Sequence, residues 1–108
     1  MEYRIIRYQA KPERADENQG FIAEVFRELH DAAPDGIGYA VLRLPDDSFV
    51  HFVAIENGPE PLTSLPAFKA FQTGIDERRF EPVQADTATL VGSYRMLPKA
   101  APSDPALR

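Results

Sequence analysis

The stretch that most constrains the fold is Phe49 to Glu56, FVHFVAIE, because it is apolar on both of its alternate sets of residues. One set holds Phe49, His51, Val53 and Ile55, and the other holds Val50, Phe52, Ala54 and Glu56. Its β-branched and aromatic residues are typical of a strand, whose successive side chains point to opposite faces. A strand with water on one face normally alternates apolar and polar residues. The pattern therefore predicts a strand that is covered on both faces.

Three other segments have the composition of strands. They are Tyr3 to Ala10, Ile37 to Leu44 and Thr87 to Leu97, and Gly92 in the last of them predicts a bulge or a close backbone approach. Pro45 to Ser48 predicts a tight hairpin between the second and third strands. Two registers remain open there. If Leu44 pairs with Phe49, then Leu42 lies opposite His51, whereas a three-residue loop places Val41 opposite His51.

Two segments predict helices. From about Asn18 to Ala33, apolar residues fall on one side of a helical wheel, with Asp16 or Asn18 as the expected N-cap and Pro34-Asp35-Gly36 as the stop. A second helix is expected from Ser64, as N-cap, to about Arg79, with Pro66 in its first turn. Its apolar face consists of Phe68, Phe71 and Ile75, and Gln72 lies beside that face.

The order β-α-β-β-α-β predicts the ferredoxin-like α+β fold, a four-stranded antiparallel sheet with both helices on one face. We expect one domain over residues 1–97 and a mobile tail over residues 98–108. The other sheet face is also apolar, and the chain has no spare element to cover it. A second copy that packs sheet against sheet is therefore the predicted partner, and it would give a homodimer.

Charge and composition exclude several classes of partner. The net charge is 12 − 17 = −5, from 12 Lys and Arg against 17 Asp and Glu, and the basic residues form no block. Neither nucleic acid nor an anionic membrane surface is therefore an expected partner. No apolar run approaches the roughly 20 residues that span a bilayer. The chain has no cysteine, which excludes disulfides, a thiol nucleophile and thiolate-bound metal. The opening residues lack the pattern of a signal peptide, and we expect a cytoplasmic location.

Several local patterns resemble the antibiotic biosynthesis monooxygenase family of the dimeric α+β barrel superfamily. They are the opening YRIIRY followed by Lys-Pro, the strand FVHFV, and LPAFKAF from Leu65 to Phe71. The resemblance covers about residues 3–97. It implies a homodimer with facing sheets, a pocket between sheet and helices, and cofactor-free oxygenation of aromatic or quinol-type substrates. The haem-degrading branch of the superfamily uses a tryptophan, and this chain has none.

Candidate catalytic residues are His51, Tyr39 and Tyr94. An imidazole in an apolar pocket can orient or deprotonate a phenolic substrate, and a tyrosine hydroxyl can hold a substrate oxygen. The alternative for each is a structural role, in the core or at the dimer interface. His51 lines the pocket if it faces the helices and is an interface residue if it faces the partner sheet. His30 is expected at the surface, near the C-terminus of the first helix.

Candidate substrate-binding residues lie on the second helix: Phe68, Phe71, Gln72 and Arg79. No spacing of histidines predicts a metal site, and no cofactor motif is present. Two functions follow as hypotheses. The first is a cofactor-free monooxygenase-like enzyme that acts on a small aromatic or quinol-type molecule. The alternative is a homodimer of the same fold that binds a small molecule without catalysis or is purely structural, since packing accounts for every residue of the motifs.

Overall fold

The computed structural model describes residues 1–96, which form four strands, four helices and one 3-10 turn. In chain order these are β1 Glu2–Gln9, the 3-10 turn Pro12–Arg14, α1 Ala15–Ala32, β2 Ile37–Arg43, β3 Ser48–Ile55, α2 Glu60–Thr63, α3 Pro66–Gln72, α4 Ile75–Arg78 and β4 Gln84–Ala88. The strands make one antiparallel sheet in the order β2-β3-β1-β4. The predicted ferredoxin-like fold is confirmed. The predicted tail, 98–108, lies outside the described residues.

The core lies between one face of the sheet and helices α1 and α3. Buried side chains of the central strands, such as Tyr8 and Phe49, belong to the same cluster as Val25 of α1 and Phe71 of α3. His51 is on this inner face and is only 4% exposed. The stretch Phe49 to Glu56 therefore sends its histidine set towards the helices. Its other set, with Phe52, forms part of the outer face.

The hairpin between β2 and β3 adopts the second of the two predicted registers. Val41 lies opposite His51, and Arg43 lies opposite Phe49. The loop has three residues, closed by the Leu44 N–H, which donates to the Ser48 carbonyl at 2.8 Å. Asp47 has a φ of 66°, the left-handed residue that such a loop requires. The register that paired Leu44 with Phe49 is wrong, because the loop needs this third residue.

Helix α1 starts earlier than predicted. Neither Asp16 nor Asn18 caps it: the N-cap is Arg14, which makes no side-chain capping bond. The preceding 3-10 turn already winds the chain into the helix, so a side-chain cap is not needed there. The predicted stop is confirmed, since Ala33 is left-handed and its N–H donates to the Leu29 carbonyl.

The predicted second helix is broken into α3 and α4, and the separate short helix α2 precedes it. The break between α3 and α4 occurs where Thr73 becomes extended and Gly74 adopts a φ of 78°. Ser64 is not the N-cap of α3: its hydroxyl donates back to the Glu60 carbonyl, and Leu65 is the N-cap. The carbonyl of Thr73 at this break accepts a hydrogen bond from the side chain of Arg78, at 3.1 Å.

Strand β4 is shorter and earlier than the predicted Thr87 to Leu97. Its last residue, Ala88, pairs with Tyr3, which is near the N-terminal end of β1. Only Glu2 of β1 lies beyond Tyr3 in this register, and residues 89–96 form no strand. Gly92 accordingly makes no bulge. None of the helices in the described part of the chain combines the length and the hydropathy needed to cross a bilayer.

Candidate functional site

A cavity of about 200 Å³ lies between the inner face of the sheet and the helices. Its wall is mainly apolar, with Ile6 and Val53 from the sheet, Leu62 and Ile75 from the helices, and Val83 beside β4. Polar groups are few and come from Tyr8, Tyr39, His51, Gln72 and Arg79. An apolar wall with a few converging polar groups is the usual character of a small-molecule site.

Six of the seven predicted site residues line this one cavity. They are Tyr39, His51, Phe68, Phe71, Gln72 and Arg79. The seventh, Tyr94, does not: it lies beyond β4, outside any strand, and is 76% exposed. It was predicted from a strand that does not extend so far, because β1 runs out of pairing partners at its N-terminal end.

His51 sits at the centre of the sheet and is held by two tyrosines. Its Nε2 is 2.9 Å from the Tyr8 hydroxyl and its Nδ1 is 2.6 Å from the Tyr39 hydroxyl. The register explains this geometry. His51 lies opposite Ile6 on β1 and Val41 on β2, and each tyrosine is two residues along from that position. Diagonal neighbours on one face of a sheet are within reach of long aromatic side chains.

Two buried polar residues extend this contact away from the cavity. Asn18 Nδ2 donates to the Tyr8 hydroxyl at 2.9 Å, and Arg78 Nε donates to Asn18 Oδ1 at 3.0 Å. Arg78 is 2% exposed, and its other nitrogens donate to the carbonyls of Thr73 and Phe71. Its guanidinium also lies 4.4 Å from the ring centroid of Phe21. The cation is thus held by carbonyl dipoles and an aromatic face.

Burial keeps the groups at the inner end of the cavity neutral. It lowers the pKa of His51 to about 4, since no nearby carboxylate supports the imidazolium. Burial also raises the pKa of Tyr8 to about 12, although the bond from Asn18 and the charge of Arg78 act the other way. The pKa of Tyr39 is raised further, by burial and by Tyr8. At neutral pH the three groups form a chain of uncharged donors and acceptors.

The depressed pKa of His51 predicts a loss of stability in mild acid. The unfolded chain binds this proton near pH 6.5 and the folded chain only near pH 4, so unfolding takes up a proton between those values. The stabilisation is complete above about pH 6.5 and decreases as the pH falls to about 4. About 2.5 pKa units correspond to roughly 3 kcal/mol. Urea unfolding at several pH values measures it.

The matched control for that measurement is His30→Gln, which removes the exposed histidine of α1 and keeps His51. The control should retain the pH dependence of the wild-type protein between pH 6.5 and 4. In His51→Phe this part of the dependence should disappear. A wild-type profile that is flat over this range would contradict a neutral, buried His51.

The mouth of the cavity carries the only charged group of its lining, Arg79. Its guanidinium forms ion pairs with Asp76 and with Glu81, the latter at 3.1 Å, and both carboxylates are largely exposed. Exposed ion pairs contribute little to stability, so an anionic group of a ligand can compete for this arginine. Gln72, the last residue of α3, is exposed and offers a side-chain amide to a ligand at this mouth.

Sequence reasoning missed the importance of Tyr8, Asn18 and Arg78. One signal was present: Asn18 lies three and four residues before Phe21 and Ile22, so it interrupts the apolar stripe of α1 with a polar side chain. Arg78 gave no signal, because its burial depends on the break between α3 and α4. Within residues 1–96, no group of three or more His, Cys, Asp or Glu side chains is arranged to hold a metal ion.

No protein-family model matches the chain, and neither does any curated protein. Several solved structures resemble the chain in fold. A Nitrosomonas europaea protein of unknown function, NE2512, is 19% identical, with a TM-score of 0.68 over 91% of this chain and 94% of that one.

Two other solved structures show the same likeness. One named antibiotic biosynthesis monooxygenase is 15% identical, with a TM-score of 0.65 over 85% of this chain and 100% of that one. Rv0793 from Mycobacterium tuberculosis is 14% identical, with a TM-score of 0.64 over 85% and 96%. At such identities the likeness establishes the fold. This chain therefore shares the ferredoxin-like fold of structures that carry the antibiotic biosynthesis monooxygenase name.

Proposed function

We propose that the cavity is the active site of a cofactor-free monooxygenase-like enzyme that acts on a small aromatic or quinol-type molecule. The observation that carries the proposal is the cavity itself, an apolar space closed at its inner end by the hydroxyl of Tyr39 beside His51. Phe68 and Phe71 offer ring faces on one side. Such walls suit a flat aromatic body, and the hydroxyl suits an oxygen attached to it.

The volume limits the substrate. A cavity of about 150 Å³ lined by apolar side chains can bind benzene. The cavity here is about 200 Å³, so it has room for one substituted ring, with larger parts of a ligand reaching the mouth at Gln72 and Arg79. We therefore propose a substrate whose reactive ring enters first, with an oxygen substituent at the inner end.

The chemistry in this proposal requires only substrate and dioxygen. The substrate loses a proton to solvent and becomes a resonance-stabilised oxyanion, whose ring carbon transfers electrons to dioxygen and forms a carbon–oxygen bond. The resulting peroxide takes up a proton, and loss of water with the hydrogen of the same ring carbon leaves a carbonyl. In sum, the substrate O–H, one ring C–H and O₂ give two C=O groups and H₂O: four electrons leave the substrate, one oxygen atom enters the product, and the other leaves as water.

The structure changes the role proposed for His51. Both of its ring nitrogens are bonded to tyrosine hydroxyls, and its pKa is lowered by burial to about 4, so it is not a free base that faces the ligand. We assign direct contact with the substrate oxygen to Tyr39 and a positioning role to His51. A hydrogen-bond donor fixed in an apolar site stabilises developing negative charge strongly.

A non-catalytic ligand-binding protein is the second candidate function. The observation that favours it is the same occupied histidine, because the inner end of the cavity then lacks a free general base. Incubation of the protein with one-ring phenols and quinols under ¹⁸O₂ separates the two candidates. The enzyme should consume one O₂ per product and place one ¹⁸O atom in it. Binding of these compounds without oxygen uptake would support the second candidate instead.

We also propose that the outer face of the sheet is covered by a second copy of the chain. This face presents Ile5, Val50 and Phe52 in the centre and Leu42, 66% exposed, towards the edge. Arg7 and Asp86 lie on the same face, beside this apolar centre. An apolar sheet centre of this kind is typical of an interface between protein subunits. The residues after β4 add exposed Val91 and Met96. Since β1 of the same chain cannot pair with these residues, we propose that they pair with an edge strand of the partner.

The dimer predicts the solution mass. Light scattering at micromolar concentration should give twice the chain mass of 12.1 kDa. Phe52→Glu should shift the mass towards the monomer, because it would place two charges in the apolar centre of the interface. Glu24→Lys, on the exposed side of α1, is the control and should remain dimeric. A monomeric wild-type protein at this concentration would contradict the proposal.

A further inference from the structure

We propose that Arg78 sets the direction of the hydrogen bonds that connect it to the cavity. The chain runs from Arg78 through Asn18 and Tyr8 to His51 and ends at Tyr39. Its direction places the His51 proton on Nδ1. As a result Tyr39 has its own hydroxyl hydrogen left for a ligand, which must then present an acceptor oxygen. Only this last step, on the ligand, rests on the proposed function.

The first step is fixed by the chemistry of arginine. A guanidinium has donors and no acceptor, and it stays protonated in proteins. The group 3.0 Å from Arg78 Nε must therefore be the oxygen of the Asn18 amide. The amide nitrogen of Asn18 is then the atom that faces the Tyr8 hydroxyl, at 2.9 Å. Arginine thus removes the usual ambiguity about which way an asparagine side chain is turned.

The second step follows at Tyr8. Since its oxygen accepts from Asn18, its hydrogen is free to be donated, and the acceptor within reach is His51 Nε2 at 2.9 Å. Tyr8 is buried, and no other acceptor among the described side chains bonds to its hydroxyl. A neutral imidazole has one donor and one acceptor nitrogen. If Nε2 accepts, Nδ1 carries the proton.

The third step extends the direction of the hydrogen bonds from His51 to Tyr39, at the cavity. His51 Nδ1–H donates to the Tyr39 oxygen over 2.6 Å, and the Tyr39 hydrogen then has no partner in the chain. Tyr39 lines the cavity, so this hydrogen points to whatever occupies it. The opposite tautomer would commit the Tyr39 hydrogen to His51 and leave the Tyr8 hydrogen without an acceptor among these side chains. The ligand class that fits the inferred direction is a carbonyl compound or an oxyanion.

The tautomer is measurable without any substrate. In protein labelled with ¹⁵N-histidine, long-range ¹H–¹⁵N correlation spectra at pH 7 distinguish Nδ1–H from Nε2–H. We expect His51 to be the Nδ1–H form. Any other form of His51 in the wild-type protein would overturn the proposal, and this measurement needs no variant to fold.

Asn18→Asp should reverse the chain by exchanging one NH₂ group for an oxygen. The carboxylate would accept from Arg78 and also from Tyr8, so the Tyr8 oxygen would accept from His51 Nε2–H and the Tyr39 hydrogen would turn to Nδ1. Asn57→Asp introduces the same charge at an exposed position and should keep the wild-type tautomer. Any state of His51 in Asn18→Asp other than Nε2–H would count against direction by Arg78.

A matched pair of one-ring probes tests the ligand class. Acetophenone has an acceptor oxygen and ethylbenzene has none. The affinity for acetophenone should fall about five- to tenfold in Asn18→Asp and in Tyr39→Phe, as expected for one lost hydrogen bond. The affinity for ethylbenzene should not change. Equal losses for both probes would overturn the donor assignment. Failure of both to bind wild type would count against the proposed function and leave the tautomer result standing.

Discussion

Arg78→Met is expected to lower the free energy of unfolding by about 3 kcal/mol, because it removes every hydrogen bond of a buried cation at once. The guanidinium donates to Asn18 Oδ1 and to the carbonyls of Phe71 and Thr73. Methionine fills much of the same space and donates to none of them. A buried acceptor without a partner costs about 1–3 kcal/mol, and release of a buried cation offsets part of the sum. Urea or thermal unfolding measures the loss.

In thermal terms, this corresponds to a melting temperature lower by roughly 12 to 24 °C, since 1 kcal/mol is about 4–8 °C for a domain of this size. The matched control is Arg27→Met on the exposed side of α1, where ion pairs with Glu24 and Asp31 are solvated. It should change stability by less than about 0.5 kcal/mol. Equal effects of the two substitutions would contradict the structural role of Arg78.

Tyr39→Phe is expected to reduce kcat/KM for the physiological substrate by about 10²- to 10³-fold, the loss typical of removing one donor to a developing oxyanion. The substitution deletes one oxygen and keeps the ring stacked on Phe26, whose centroid is 5.0 Å away. The shape of the cavity is therefore preserved. The predicted loss lies mainly in kcat, because the bond to the substrate oxygen strengthens as charge develops.

Two further variants define the role of Tyr39. Tyr3→Phe removes a hydroxyl from the outer face of the sheet, beside Phe52, and should leave kcat/KM within about twofold of wild type. His51→Ala should lower turnover by at least about tenfold, since it leaves Tyr39 without its donor. Full turnover in His51→Ala would remove the positioning role of the histidine. Full turnover in Tyr39→Phe would remove the oxyanion role of the tyrosine.

The sequence predicted the order of elements and most of the cavity wall, for identifiable physical reasons. The 3.6-residue periodicity of α1 predicts a helix with one apolar face, and the two-sided apolar pattern around His51 predicts a strand that is covered on both faces. The simplest fold that satisfies both is a helix packed on a sheet. The four substrate-binding residues predicted on the second helix all line the cavity, although the helix is broken at Gly74 and Arg79 lies beyond α4 in an extended conformation.

The errors came from features that depend on partners distant in sequence. The length of β4 depends on where β1 ends, so the composition of residues 89–96 was a poor guide and Tyr94 was misplaced. The residue opposite His51 depended on whether the hairpin loop has three residues, as it does with Asp47 in the left-handed conformation. The burial of Arg78 depends on carbonyls freed by a helix break, which periodicity does not predict.

A crystal structure of the wild-type protein in complex with acetophenone would test the proposed site most directly. We expect the ring in the cavity beside Phe71, with the carbonyl oxygen about 3 Å from the Tyr39 hydroxyl. His51 should remain between Tyr8 and Tyr39. A cavity that stays free of the probe at saturating concentration, or a ring bound with its oxygen turned towards Arg79, would contradict the proposed role of Tyr39.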